Sequence, residues 1–100
     1  MALLDDVKAY LHVSWEEDDD LIKGYIQRGQ ARLNRIAGCE LDYSAEGAAR
    51  SLLFDYCRYA NSQALEVFEE NFKSELLMLH YDTQVDMALM EAQYEDQSSE

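Results

Sequence analysis

The sequence has no proline and only four glycines in 100 residues, so little in it interrupts a helix. Positive charge is equally scarce. Eight Lys and Arg stand against 21 Asp and Glu, a net charge of −13. Such a surface repels phosphates and anionic lipid, which argues against a protein that grips nucleic acid or membrane. It is compatible with a surface that DNA slides past without sticking. Long apolar runs are missing too: nothing approaches the roughly 18 residues of a membrane span. Met1-Ala-Leu-Leu passes straight into Asp5-Asp6, unlike a secretory leader, so a soluble, non-secreted chain is expected. The two cysteines, Cys39 and Cys57, form no Cys-x-x-Cys pair and have no histidine beside them. They are expected to be buried thiols in a reducing compartment.

What is present is a folded composition: 48% hydrophobic residues, with seven Tyr, three Phe and one Trp. The length suits one domain with a limited core. Leu4, Val7 and Leu11, with Tyr10, fall at helical spacing and predict a short first helix. Ser14-Trp15-Glu16-Glu17 reads as a capping box for a second helix, with Asp18, Asp19 and Asp20 in its first turn. In that helix Leu21, Ile22, Tyr25, Ile26, Gly29, Leu33 and Ile36 share one ~140° arc. Arg28, Arg32 and Arg35 line one edge of the arc, and Gly38 sits where an αL residue would end it.

Ser44 can cap a third helix whose stripe is Ala48, Ala49, Leu52, Leu53, Tyr56 and Ala60, with Tyr59 at its edge. Periodicity continues through Ala64, Phe68, Phe72, Leu76 and Leu79. Either one long helix or two account for it; a break near Asn61-Ser62 or Asn71 is favoured, because Phe68 and Phe72 leave the earlier stripe. From Ser74 onward there are seven acids and no Lys or Arg. The expected architecture is therefore all-α: a small antiparallel bundle of three to four helices over residues 1–81. An acidic, partly flexible tail follows over residues 82–100.

Chemical motifs fail one by one. Asp18-x-Asp20 would begin a calcium loop, but Lys23 stands where the loop needs Gly, and Gly29 where it needs Glu. Gly24 and Gly29 have the outer spacing of a phosphate loop, yet Gln30-Ala31 replaces Lys-Ser/Thr and no strand precedes them. These glycines instead permit close helix approach or are tolerated within the helix. His12 and His80 are isolated, with no histidine or cysteine as second ligand at i+3 or i+4. No catalytic residue, cofactor or metal is assigned, and no enzyme is expected.

Two features point outward. The tail carries Val85, Leu89, Met90 and Tyr94, which either dock on a partner or pack as one more helix on the chain's own core. Trp15 is either a hydrophobic staple or an exposed anchor. The arginines are expected to pair with carboxylates, within the chain or on another copy.

The order of these parts resembles the head–tail connector (adaptor, or head-completion) proteins of long-tailed bacteriophages. The resemblance rests on Leu4-Asp5-Asp6-Val7-Lys8-Ala9-Tyr10-Leu11-His12-Val13, then on Glu16-Glu17-Asp18-Asp19-Asp20-Leu21-Ile22. It continues in Leu33-Asn34-Arg35-Ile36-Ala37-Gly38, in the segment Leu52 to Asn61, and in Leu76-Leu77-Met78-Leu79. Relatives often carry a Tyr-Glu-Asn-Arg-like run where this chain has Tyr59-Ala60-Asn61-Ser62, and nothing after Tyr81 shares the pattern. The resemblance implies a virion protein, monomeric when free, that docks under the portal protein as a ring of about twelve copies. The ring would extend the DNA channel, pass double-stranded DNA without specific binding, and seat the next connector, stopper or tail protein. Its place would be the portal vertex of the virion, after the host cytoplasm. Charge alone fits another class equally well: a small acidic regulatory protein that mimics DNA and binds a basic DNA-binding partner one to one.

Overall fold

The computed structural model describes residues 3–98, with side-chain surroundings for residues 3–92. Five α-helices follow in order: α1 Leu3–Leu11, α2 Asp19–Ala37, α3 Ala48–Asn61, α4 Phe68–Asn71 and α5 Lys73–Ser98. A 3₁₀ turn, Leu65–Val67, leads into α4, and no strand occurs among the described residues. The chain is all-α, a small helical bundle. Helices α2 and α3 form its central pair, α1 lies across both, and α5 returns along α2.

The core is the inner half of each helix. Val7, Ile22, Leu33, Leu53 and Cys57 are fully buried, each large aliphatic side chain contributing about 1.5–3 kcal/mol by leaving water. On α2 the buried set is Ile22, Ile26, Gly29, Leu33 and Ala37, whereas Leu21 at one end of the expected arc is exposed. Gly29 explains where that face is centred. A Cβ there would lie 2.7 Å from Leu53 Cδ1 and 2.8 Å from Tyr56 Cδ1, so α3 packs directly against the α2 backbone at this point. Gly24 faces only the side chain of Arg28 and is simply tolerated.

Both serine caps are corrected. Helix α2 starts after Asp18 and α3 after Gly47, neither with a side-chain capping bond. Ser44 instead bonds through its N–H to Asp42 Oδ1 (2.9 Å), which closes a local turn four residues before α3 begins. Ser14 lies in the loop before α2, too early to reach its first N–H groups. The acids Asp19 and Asp20 do occupy the first turn of α2.

Three helices end in the same way. His12 (φ 61°), Gly38 (φ 82°) and Gln63 (φ 57°) are left-handed. The N–H of the following residue closes back in each case: Val13 onto Lys8 O (2.9 Å), Cys39 onto Asn34 O (3.2 Å), Ala64 onto Tyr59 O (2.8 Å). Glycine does this without strain, but His12 and Gln63 carry a Cβ that disfavours αL by about 1–2 kcal/mol. Replacing either with glycine is expected to raise stability by up to about 1 kcal/mol, the gain being reduced by glycine's larger unfolded-state entropy. Urea unfolding of Gln63→Gly against the parent checks this.

The break expected between residues 61 and 72 is present at both favoured points, after Asn61 and after Asn71. Phe68 drops into the bundle there, 1% exposed, edge-on to Tyr56 (5.4 Å) and Tyr59 (5.6 Å) and beside Phe72 (5.1 Å). The connection from α2 to α3 is pinned by Asn34. Its Oδ1 accepts from the Tyr43 hydroxyl (2.7 Å) and from the Leu41 N–H (3.1 Å). Burial pushes the Tyr43 phenol up to about 12.

Both cysteines are free thiols; Cys57 is buried and Cys39 half-buried. Burial pushes the Cys57 thiol up to about 12, which leaves almost no thiolate to react near neutrality. A disulfide reagent at pH 8 is therefore expected to modify one cysteine, Cys39, in the folded protein and both after denaturation. Mass spectrometry of the adducts reads this directly.

Candidate functional site

Two surfaces hold most of the residues singled out by the sequence. The first is the arginine edge of α2. Arg28, Arg32 and Arg35 line one groove of about 380 Å³ whose floor is Tyr56, Leu65 and Phe68. Arg32 is paired inside the chain. Its Nε and Nη2 donate to the two carboxylate oxygens of Glu69, both at 2.7 Å, a bidentate clamp between α2 and α4. That hydrogen bond is the main reason the Glu69 carboxyl sits below its ordinary value and the Arg32 guanidinium above its own.

A carboxylate whose pKa is lower in the folded chain favours folding above its ordinary pKa and loses that contribution as pH falls from there through its lowered folded value. Both partners are about half exposed, so the pair is expected to contribute no more than about 1 kcal/mol. Glu69→Gln should accordingly cost that little at pH 7 and nothing in acid, where the parent carboxylate is protonated. Thermal melts at the two pH values test it.

Arg28 and Arg35 are exposed and form no salt bridge among the described residues. Arg28 lies over the Tyr25 ring at 5.7 Å. The expectation that all three arginines pair with carboxylates thus holds within the chain for Arg32 alone. Three other basic residues are engaged elsewhere: Lys8 with Asp19 (2.6 Å), Arg50 with Asp6 (2.7 Å), Arg58 with Asp55 (3.3 Å), whereas Lys23 and Lys73 are exposed and, among the described residues, form no salt bridge.

The second surface is α5, which runs without interruption across Tyr81-Asp82. Leu76, Leu79 and Thr83 face the core and are buried. His80 Nδ1 lies 2.9 Å from Ile36 O, and Gln84 Nε2 donates to Ala37 O (3.2 Å), so α5 is tied to the last turn of α2. Beyond that point it loses its support. Val85 and Leu89 are 57% and 59% exposed. They continue a stripe begun by Leu77, Met78 and Tyr81, each at least half exposed. At 100° per residue these five share an arc of about 120°, nearly opposite the buried one. Helix α5 therefore has two apolar faces. Asp82 borders the outer one and Asp86 follows it in the gap between the two faces, both exposed.

Met90 shares the angle of Leu76, Leu79 and Thr83 at 100° per residue, but it lies beyond Gln84 and is 70% exposed. Tyr94 lies on the same helix, outside the residues whose side chains are described. Trp15 belongs to neither surface. It sits in the loop between α1 and α2, 47% exposed, with its indole N–H donating to Asp18 Oδ2 (2.9 Å). This fixes the ring against the N-cap of α2 in place of the staple arrangement.

Leu77, Met78 and Tyr81 were missed by the sequence reading, although a signal exists. Leu76-Leu77-Met78-Leu79 is four apolar residues in a row, which no helix can turn to a single face. Glu69 carried no such signal, since its partner is 37 residues away. No group of three or more His, Cys, Asp or Glu gathers at metal-binding distance among the described residues. No family model, no curated protein and no solved structure matches the chain.

Proposed function

We propose that this chain is a head–tail connector subunit of a long-tailed bacteriophage. It would add to the portal protein as a ring, extend the DNA channel and seat the next connector, stopper or tail protein. The observation that carries the reading is the second apolar face of α5, a surface that answers to docking and has no use in the chain's own core. The sequence pattern over residues 3–80 supplies the family, and the charge of −13 supplies a wall to which DNA phosphates do not adhere. In this reading the protein performs no reaction; its work is geometric.

The test is electron microscopy of the purified protein mixed with portal rings or with DNA-filled, tail-less heads from its phage. A ring of added density at the portal vertex is expected. A bare portal, together with one-to-one binding of a basic DNA-binding protein, would overturn the proposal in favour of an acidic regulator.

A further inference from the structure

Helix α5 is longer than its own bundle requires. Among the described residues its last hydrogen bond to the bundle is Gln84 on Ala37 O, yet the helix continues to Ser98, about 20 Å further at 1.5 Å per residue. The outer stripe on this projecting helix is apolar with an acidic border. The groove beside α2 is its complement: an apolar floor of Tyr56, Leu65 and Phe68, with the unpaired cations Arg28 and Arg35 at the rim.

The two cannot meet within one chain. Phe68 and Glu69 of α4 line the groove, and α5 starts immediately after α4 and leads away from it. Val85 follows Lys73 by about 18 Å of straight helix.

We infer that the outer face of α5, with Asp82 and Asp86, docks into the Arg28–Arg35 groove of a second copy of this chain. The contact is heterologous, because the two surfaces are different, so it propagates from copy to copy and closes into a ring or extends as a filament. It rests on the connector reading for the ring and names the contact that would join its subunits. The charge assignment follows from which groups are already used. Arg32 is held by Glu69, whereas Arg28 and Arg35 have no carboxylate partner among the described residues.

The area sets the strength. A stripe from Leu77 to Leu89 is about 18 Å long and about 10 Å wide, a few hundred Å² at most. A stable interface usually buries about 800 Å² per partner. Free chains are thus monomeric at ordinary concentration and associate when concentrated or when a template aligns them.

Two charge-reversed proteins test the contact: Arg28→Glu with Arg35→Glu, and Asp82→Lys with Asp86→Lys. All four sites are exposed, and circular dichroism establishes that each variant folds. Sedimentation velocity at low salt and near-millimolar protein is expected to show association of the parent. Each variant alone should associate at least ~10-fold more weakly, because like charges then meet. An equimolar mixture should recover, since every junction again brings opposite charges together. A mixture no better than its components, or a parent that stays monomeric throughout, would overturn the contact.

The same proteins on portal rings separate this inference from the reading beneath it. Rings formed normally by each variant alone would overturn the α5–α2 contact and leave the connector intact. A parent that ignores portals while the mixture still recovers association would do the reverse.

Discussion

Phe68→Ala is expected to destabilise the protein by about 3–5 kcal/mol, a large share of the roughly 5–15 kcal/mol available to a chain of this size. Phe68 is the largest fully buried side chain and the only buried residue between Ser62 and Phe72. Its ring meets Tyr56, Tyr59 and Phe72 at 5.1–5.6 Å, and each such aromatic pair adds about 0.5–1.5 kcal/mol beyond burial. Truncation leaves a cavity that three stiff rings fill poorly. The 3₁₀ turn and α4 then keep the surface pair Arg32–Glu69 and the exposed Asn71–Tyr59 hydrogen bond (3.0 Å), neither strong enough to replace the lost packing. The expected readout is a fall in Tm of more than about 12 °C. Hydrogen exchange should rise first in residues 62–72, ahead of α2 and α3. Leu77→Ala, at a residue 50% exposed, is the matching control and should stay within about 0.5 kcal/mol of the parent. A Phe68→Ala protein as stable as that control would mean that α4 is not anchored through this ring.

Gly29→Ala is expected to be destabilising by up to about 2 kcal/mol even though alanine is the better helix former. Helix propensity alone would favour alanine by about 1 kcal/mol. Against it, the new Cβ would lie 2.8 Å and 3.2 Å from Cδ1 and Cγ of the Tyr56 ring and 2.7 Å from Leu53 Cδ1. The leucine methyl can rotate aside. The ring carbons cannot, because they lie close to the α3 backbone and the ring is packed against Phe68. Helices α2 and α3 would have to move apart along the central pair of the bundle, and overpacking of this kind costs about 1–3 kcal/mol. Gly24→Ala tests the opposite sign in the same helix. There the nearest atoms belong to the Arg28 guanidinium, 3.2 Å away on a flexible stem, so propensity should win and stability rise by up to about 1 kcal/mol. Denaturant midpoints of the two variants moving in the same direction would contradict the argument.

The two glycines also mark how far sequence reasoning reaches. Their presence inside an amphipathic pattern is visible in one dimension, and it suffices to reject a phosphate loop. Which glycine holds two helices together depends on the side chains of Leu53 and Tyr56, and these lie on another helix.

Much else was settled by composition and period alone. The absence of proline and the 3.6-residue spacing of apolar positions determine an all-helical chain. Gly38 ends α2 because only glycine enters αL without cost. Phe68 and Phe72 leave the stripe of Leu52 and Tyr56, which predicts the break between α3 and α5. These features are local, and local sequence is enough to specify them.

Tertiary structure decided what local preference left balanced or opposed. His12 and Gln63 close α1 and α3 in a conformation their own Cβ disfavours, so the packing that follows each turn must hold it there. Arg32 found Glu69 across 37 positions, and Arg28 and Arg35 have no carboxylate partner among the described residues. On α5 the apolar residues occupy two opposite faces, so their periodicities cancel and the sequence has no preferred inside. Packing against the end of α2 selects Leu76, Leu79 and Thr83 for the core. It thereby turns Leu77, Tyr81, Val85 and Leu89 outward, near Asp82 and Asp86, which form no salt bridge among the described residues.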